Sequence, residues 1–370
     1  MVGWVCSVLL AVNPAVVVPL KEVEGHPTIE LRLEGKGPFR FRFDTGSGAD
    51  LIVNQDLATE LGLEVIGARR IGDPNAPGAI AAQAVKVGRV ALGGLMLGNV
   101  EAVSWKREMS GTADEPRGVV GLGLFGTRLV TLDYGRGELI LESGDLPDPD
   151  GNSVLAASFA EGIPSVPIEV AGVAFRAHVD SGSTGFIGLP LGAAKQLPLG
   201  APPVVVGRGR TASGDYAVFE AQLRGALRVG EITIDNPRVR FVDLPLANLG
   251  FDFLRSLVVT IDKKNQRVRL LRTGAPLRPS DTPRLGIVTD GLTSGRLPVA
   301  RVATGSAAEA AGILAGDQIV RLNGRVVATM SRYDTSRALQ TRPLTIVLAR
   351  NGRMLEITMP SGSPSNPSPE

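Results

Sequence analysis

Apolar and polar residues alternate in short runs along most of the chain, the period of half-buried β-strands. Phe39-Arg40-Phe41-Arg42-Phe43 is the clearest run, and Phe175-Arg176-Ala177-His178-Val179 repeats it. Glu138–Leu141 and Arg267–Leu270 follow the same rule, and Val16–Leu20 reads as a first strand. Helical periodicity is confined to short segments, such as the stretch after Asn54. The 46 glycines fit many tight turns between short strands. A mostly β fold is therefore expected.

The chain repeats itself. Phe39 to Leu63 aligns with Phe175 to Leu199 at a constant offset of 136 (180 − 44). At that offset Asp44 meets Asp180, Thr45 meets Ser181, Gly46 meets Gly182 and Ser47 meets Ser183. A second pair of matching segments follows, Gly118 to Leu141 and Ala247 to Leu271. Gly121 precedes Asp133 by 12 residues and Gly250 precedes Asp262 by 12 (133 − 121; 262 − 250). Each unit thus runs from a strand into Asp-Thr/Ser-Gly, then a strand and short helix, a glycine-rich hairpin region, an apolar segment ending in glycine, and a closing hairpin. Residues 16–146 and 152–274 are the expected units, and Pro147-Asp-Pro-Asp-Gly151 is the linker.

The chemistry of this repeat lies in its carboxylates. Alternation carries Asp44 to the end of a strand, and Gly46 permits a sharp turn directly after it. The hydroxyls of Thr45 and Ser181 are expected to bond across to the opposite loop, and those of Ser47 and Ser183 to reach the outer carboxylate oxygens. The N–H groups of Gly46 and Gly182 are expected to face the carboxylates. If a pseudo-twofold axis relates the units, Asp44 and Asp180 meet across it. Two touching carboxyls share one proton, so one acts as base toward a water while the other acts as acid. A single Asp-Thr-Gly is weak, being a common turn or cap; two copies in register, each trailed by the same segments, carry the assignment.

These triplets, with Val119-Val120-Gly121 and Asn248-Leu249-Gly250, resemble the pepsin/retropepsin superfamily of aspartic proteases, as two retropepsin-type lobes fused in one chain. The resemblance covers about 250 residues. It implies an all-β bilobal acid-protease fold, a cleft for an extended peptide, catalytic Asp44 and Asp180, and no metal or cofactor. Flaps are expected near Gly72–Ala79 and Gly207–Tyr216; the first has no tyrosine, while Tyr216 lies in the second. Asn248 stands where the family has an apolar residue. The alternative reading is a non-catalytic peptide-binding or scaffold protein that keeps the fold.

From about Leu285 the pattern changes. Gly305-Ser-Ala-Ala308, Ala311-Gly312, Leu314-Ala-Gly-Asp-Gln-Ile319 and Leu322-Asn-Gly324 resemble a PDZ domain of the bacterial, protease-associated kind, expected over 280–360 as a β-sandwich or partial barrel with short helices. Ser306 is placed to cap a short helix that Gly312 ends, and Asn323-Gly324 to turn a hairpin. The resemblance implies that a peptide adds as a strand, with its C-terminal carboxylate held near Leu285, Gly286, Ile287 and Val288. A domain that docks on the protease without a free ligand is the competing reading. Residues 361–370, SGSPSNPSPE, read as a disordered tail.

Composition narrows the partners. With 39 basic and 37 acidic residues the charge nearly balances, which offers no electrostatic case for nucleic acid. One cysteine and two histidines exclude an intrachain disulfide and a clustered zinc site. Peptide or unfolded protein is the expected substrate, and a C-terminal peptide the expected ligand of the third unit. The apolar residues 1–15 suit an export signal and hence a periplasmic or secreted protein; Asn13 and Pro14 break them as a membrane span. Gly121–Gly126 spells GxGxxG, but a hairpin rather than a helix follows it, which argues against a nucleotide loop. His178 precedes Asp180 by two residues, yet no GxSxG elbow supplies a serine nucleophile, so it reads as a polar strand residue.

Overall fold

The structure, a computed structural model, describes residues 15–71, 80–106, 115–160, 162–211, 214–243, 246–277 and 285–360. Its architecture is mostly β. In the first unit, eight strands form one sheet. Its centre runs in the order Lys36–Phe43, Gly118–Val120, Leu51–Asn54, Leu95–Trp105, Ile80–Leu92 and Glu64–Ile71. The strand His26–Leu33 pairs with Lys36–Phe43 and also touches Ile80–Leu92, so the sheet curls back on itself. In the second unit the corresponding order is Val173–Val179, Ala247–Leu249, Ile187–Pro190, Arg238–Val242, Gly214–Gln222 and Val204–Thr211. The repeat seen in sequence is therefore a repeat of topology. Alternation does the local work: Phe41 and Phe43 are fully buried, as are Ala177 and Val179, while Arg42 and His178 face the other way.

The closing hairpins do something the sequence alone did not show. They merge into one six-stranded sheet, Val16–Pro19, Glu138–Glu142, Leu129–Asp133, Leu257–Asp262, Arg267–Arg272 and Val154–Ala156, half of it from each unit. Thr131 faces its own repeat partner Thr260 across the middle pair, and their hydroxyls lie 3.0 Å apart. The pseudo-twofold axis passes through this contact. A single apolar core runs through both units and this shared sheet. Asp133 and Asp262 hold the two hairpin turns alike, accepting from the N–H groups of Arg136 (2.9 Å) and Asn265 (3.0 Å).

The third unit has its own core, built around Leu285, Ile287, Val299, Ile319, Leu344 and Ile346. Its sheet runs Ile287–Thr289, Leu297–Val302, Gln318–Leu322, Leu344–Arg350, Arg353–Met359, with Arg325–Val326 paired to the third strand. Ser306 caps the helix Ala307–Ala310 by accepting from the Glu309 N–H, and Ser331 caps Arg332–Gln340 by accepting from Asp334. Asn323 and Gly324 both adopt positive φ, as the tight hairpin requires. Asp317 is buried and answered by Arg350, whose Nε lies 2.6 Å away. Among the described residues no helix is long and apolar enough to cross a membrane.

Candidate active site

The two acidic triplets meet where the units join. Each aspartate leaves the end of a core strand, and each is pinned by the apolar-glycine segment beneath it. The Asp44 N–H donates to the Val120 carbonyl (2.9 Å), and the Asp180 N–H donates to that of Leu249 (3.0 Å). Gly121 and Gly250 let those segments pass directly under the loops: a Cβ at Gly121 would overlap the Ala49 carbonyl, and one at Gly250 the carbonyls of Gly185 and Ser183. Backbone cannot swing aside as a flexible side chain would, so only glycine fits.

Thr45 and Ser181 lock the loops reciprocally. The Thr45 N–H donates to the Ser181 hydroxyl (3.0 Å), and the Ser181 N–H donates to the Thr45 hydroxyl (3.0 Å). Each hydroxyl then donates to a carbonyl of the other unit, Thr45 to Val179 (2.5 Å) and Ser181 to Phe43 (2.8 Å). Both residues are buried, at 1% and 0% exposure, so these four bonds form without competing water. Below them the Tyr134 ring of the first unit meets the Phe251 ring of the second edge-on, centroids 5.5 Å apart.

This lock sets the carboxylates against each other. Asp180 lies over Gly46 and Asp44 over Gly182, so closely that a Cβ at either glycine would overlap the opposing carboxylate. Asp44 accepts from the Gly46 N–H (2.8 Å). Asp180 is better supplied: Gly182 (2.9 Å) and Ser183 (3.1 Å) donate main-chain N–H groups to Oδ1, and Asn248 Nδ2 donates to Oδ2 at 2.5 Å. Burial, reinforced by the neighbouring Asp180 charge, pushes the Asp44 carboxyl up to about 7. Burial also raises Tyr134 and Tyr216, and the Asp180 charge adds to both.

Two expectations need correction, and one residue was undervalued. The Ser47 hydroxyl does not serve a carboxylate; it donates to the Ala49 carbonyl (3.0 Å) and accepts from the Ala49 N–H (3.3 Å), closing its own turn. Ser183 reaches Asp180 through its main-chain N–H rather than its hydroxyl. A serine directly after a turn glycine is short enough to satisfy local backbone first. Asn248, noted in the sequence only as a departure, touches the carboxylate because its strand runs parallel to the Asp180 strand, with Asn248 beside His178 in register. A polar residue in an otherwise apolar strand was the available signal.

The flap at Gly72–Ala79 lies outside the described residues. The second expected flap falls on the hairpin of Val204–Thr211 and Gly214–Gln222, where the Tyr216 ring covers Gly209 of the facing strand. Leu285, Gly286, Ile287 and Val288 lie at the edge of the third unit's sheet, with Gly286 at φ +81°. Beside them runs the strand Val204–Thr211. Val288 alternates with core residue Ile287, stays outside that core and is nevertheless only 5% exposed. Arg208 and Asp290 form an ion pair at 3.9 Å on this seam. On the other wall, Tyr333 packs on Gly25 and its hydroxyl bonds Glu22 (3.2 Å), which also pairs with Arg255 (3.0 Å). Glu22 thereby joins all three units. Among the described residues no group of His, Cys, Asp and Glu is arranged to hold a metal.

Paired carboxylates on a pseudo-twofold axis, each on an Asp-Thr/Ser-Gly turn over an apolar-glycine strand, define an aspartic-protease fold. The aspartyl protease family matches residues 29–128 and 166–253, and the chain belongs to that family. A PDZ domain matches residues 299–350. Comparison with curated proteins found no match.

Proposed function

We propose that the protein is an aspartic endopeptidase that cuts extended polypeptide, with Asp44 and Asp180 as its catalytic pair and the PDZ domain as a binding site for substrate or partner peptide. One observation carries this reading: the two repeats set each carboxyl against the opposing loop's glycine, held by four reciprocal bonds between Thr45, Ser181 and the opposite units. Such a pair holds one proton between two oxygen sites and titrates as a unit. The ionised carboxyl takes a proton from a water as its oxygen adds to the peptide carbonyl carbon. The protonated carboxyl gives its proton to the carbonyl oxygen. Collapse of the resulting diol breaks the C–N bond, and the amine leaves with a proton from the pair. The raised affinity of Asp44 for its proton supports this division of labour near neutral or mildly acidic pH.

The test is incubation of the full chain with a mixed peptide pool, read by mass spectrometry with and without a statine-type inhibitor. Cleavage should occur, should stop with the inhibitor, and should be lost in Asp44→Asn and Asp180→Asn. Tight binding of uncleaved peptides by the wild type would replace this reading with that of a peptide-binding scaffold.

A further inference from the structure

The two carboxyls are not equivalent. By the repeat, Asn248 corresponds to Val119, since Gly250 corresponds to Gly121. One side of the pair therefore has an amide where the other has a methyl-bearing side chain. The Asn248 amide nitrogen can only donate, so at 2.5 Å it favours an unprotonated Oδ2 on Asp180. Gly182 and Ser183 occupy Oδ1 with two further donors. Both oxygens of Asp180 are thus committed as acceptors. Asp44 receives one main-chain N–H, from Gly46 on Oδ1, which leaves Oδ2 available to carry the shared proton.

We propose that Asn248 is a positioning residue that breaks the symmetry of the pair, fixing Asp180 as the ionised base and Asp44 as the proton-bearing acid; this rests on the protease reading above. The other ionisable groups around the pair do not impose that order. Arg42, on the strand Lys36–Phe43, acts on Asp44 and favours its ionised form, the opposite sense. Tyr134 and Tyr216 are held neutral by burial near Asp180, and Arg240 acts on Tyr216 and on Asp252. His178 stands beside Asn248 in the sheet register. The upward shift of Asp44 agrees with the assignment made from the donors.

The experiment is a carbon-13 NMR titration of the aspartate carboxyls in the full chain, paired with the pH profile of peptide cleavage. In the wild type, the assigned Asp44 carboxyl signal should move mainly with the higher of the pair's two titration steps and the Asp180 signal mainly with the lower. In Asn248→Leu the lower step should rise by roughly one to two pH units, the loss of one charge-assisted bond, and the acidic limb of kcat should rise with it. The same shift in a His178→Gln background would exclude the imidazole as its source. The double variant Val119→Asn with Asn248→Leu moves the amide to the other repeat and should make Asp180 the signal that moves mainly with the higher step. If the Asp180 signal moves mainly with the higher step in the wild type, or Asn248→Leu leaves the lower step in place, the proposal is wrong. Titrations that follow expectation in a protein that cleaves nothing would uphold the charge assignment and overturn only the protease reading.

Discussion

Asp44 should make the folded protein less stable as pH rises through the mildly acidic range. Its carboxyl moves from an ordinary 3.8 to about 7 in the folded state, chiefly through burial and then through the Asp180 charge. Between those values the native chain binds a proton that the unfolded chain has released. The sign of the linkage is then negative: stability is fully present below 3.8 and is lost as pH climbs toward 7. A shift of about three units at 1.36 kcal/mol each sets the loss at about 4 kcal/mol. Asp44→Asn mimics the protonated carboxyl, since the amide is uncharged and its oxygen still accepts from Gly46. Urea unfolding of wild type and variant from pH 4 to 8.5 isolates the effect, because every other titrating group is common to both. The two should be nearly equal at pH 4. The variant should then gain about 1.4 kcal/mol per pH unit through the middle of the range and level off above pH 7. A difference that stays flat with pH, or that favours the wild type at pH 8, would refute the argument.

Three further outcomes follow from the packing. Thr45→Val keeps the side-chain shape but leaves the Val179 carbonyl and the Ser181 N–H without their partner, so urea unfolding should show a loss of about 2–4 kcal/mol. Gly250→Ala drives a methyl into two backbone carbonyls and should abolish the soluble folded protein on size-exclusion chromatography, whereas Gly94→Ala, where a Cβ would meet nothing, should leave folding intact. Tyr333→Ala removes the side chain that seats the PDZ helix on Gly25 and Glu22; amide exchange in the strand Val204–Thr211 should quicken, and unchanged exchange there would show that the PDZ domain does not brace that strand.

What could be read in the chain was what neighbours in sequence decide. Strand alternation at Phe39–Phe43 and Phe175–Val179, the turn glycines after each aspartate, the cap at Ser306 and the turn at Asn323-Gly324 act over a few residues, so their pattern is written locally. Duplication extended that reach. Two weak triplets in one register implied an axis, and an axis implied that Asp44 and Asp180 meet. The serines at 47 and 183 mark where the local reading stops, because several acceptors lay within reach of each hydroxyl and only the folded turn chose among them.

Tertiary structure decided the rest, by bringing together segments that carry no mark of one another. The six-stranded sheet joins Leu129–Asp133 to Leu257–Asp262, more than a hundred residues apart, through backbone groups common to every sequence. The strand Val204–Thr211 and the edge of the PDZ sheet lie side by side through the same kind of long-range placement. Asn248 shows the division most sharply: its polarity was visible in an apolar strand, but its 2.5 Å contact with Asp180 depends on the register of two parallel strands. A residue type can be read from the chain. Which charge it faces is settled by where the chain returns.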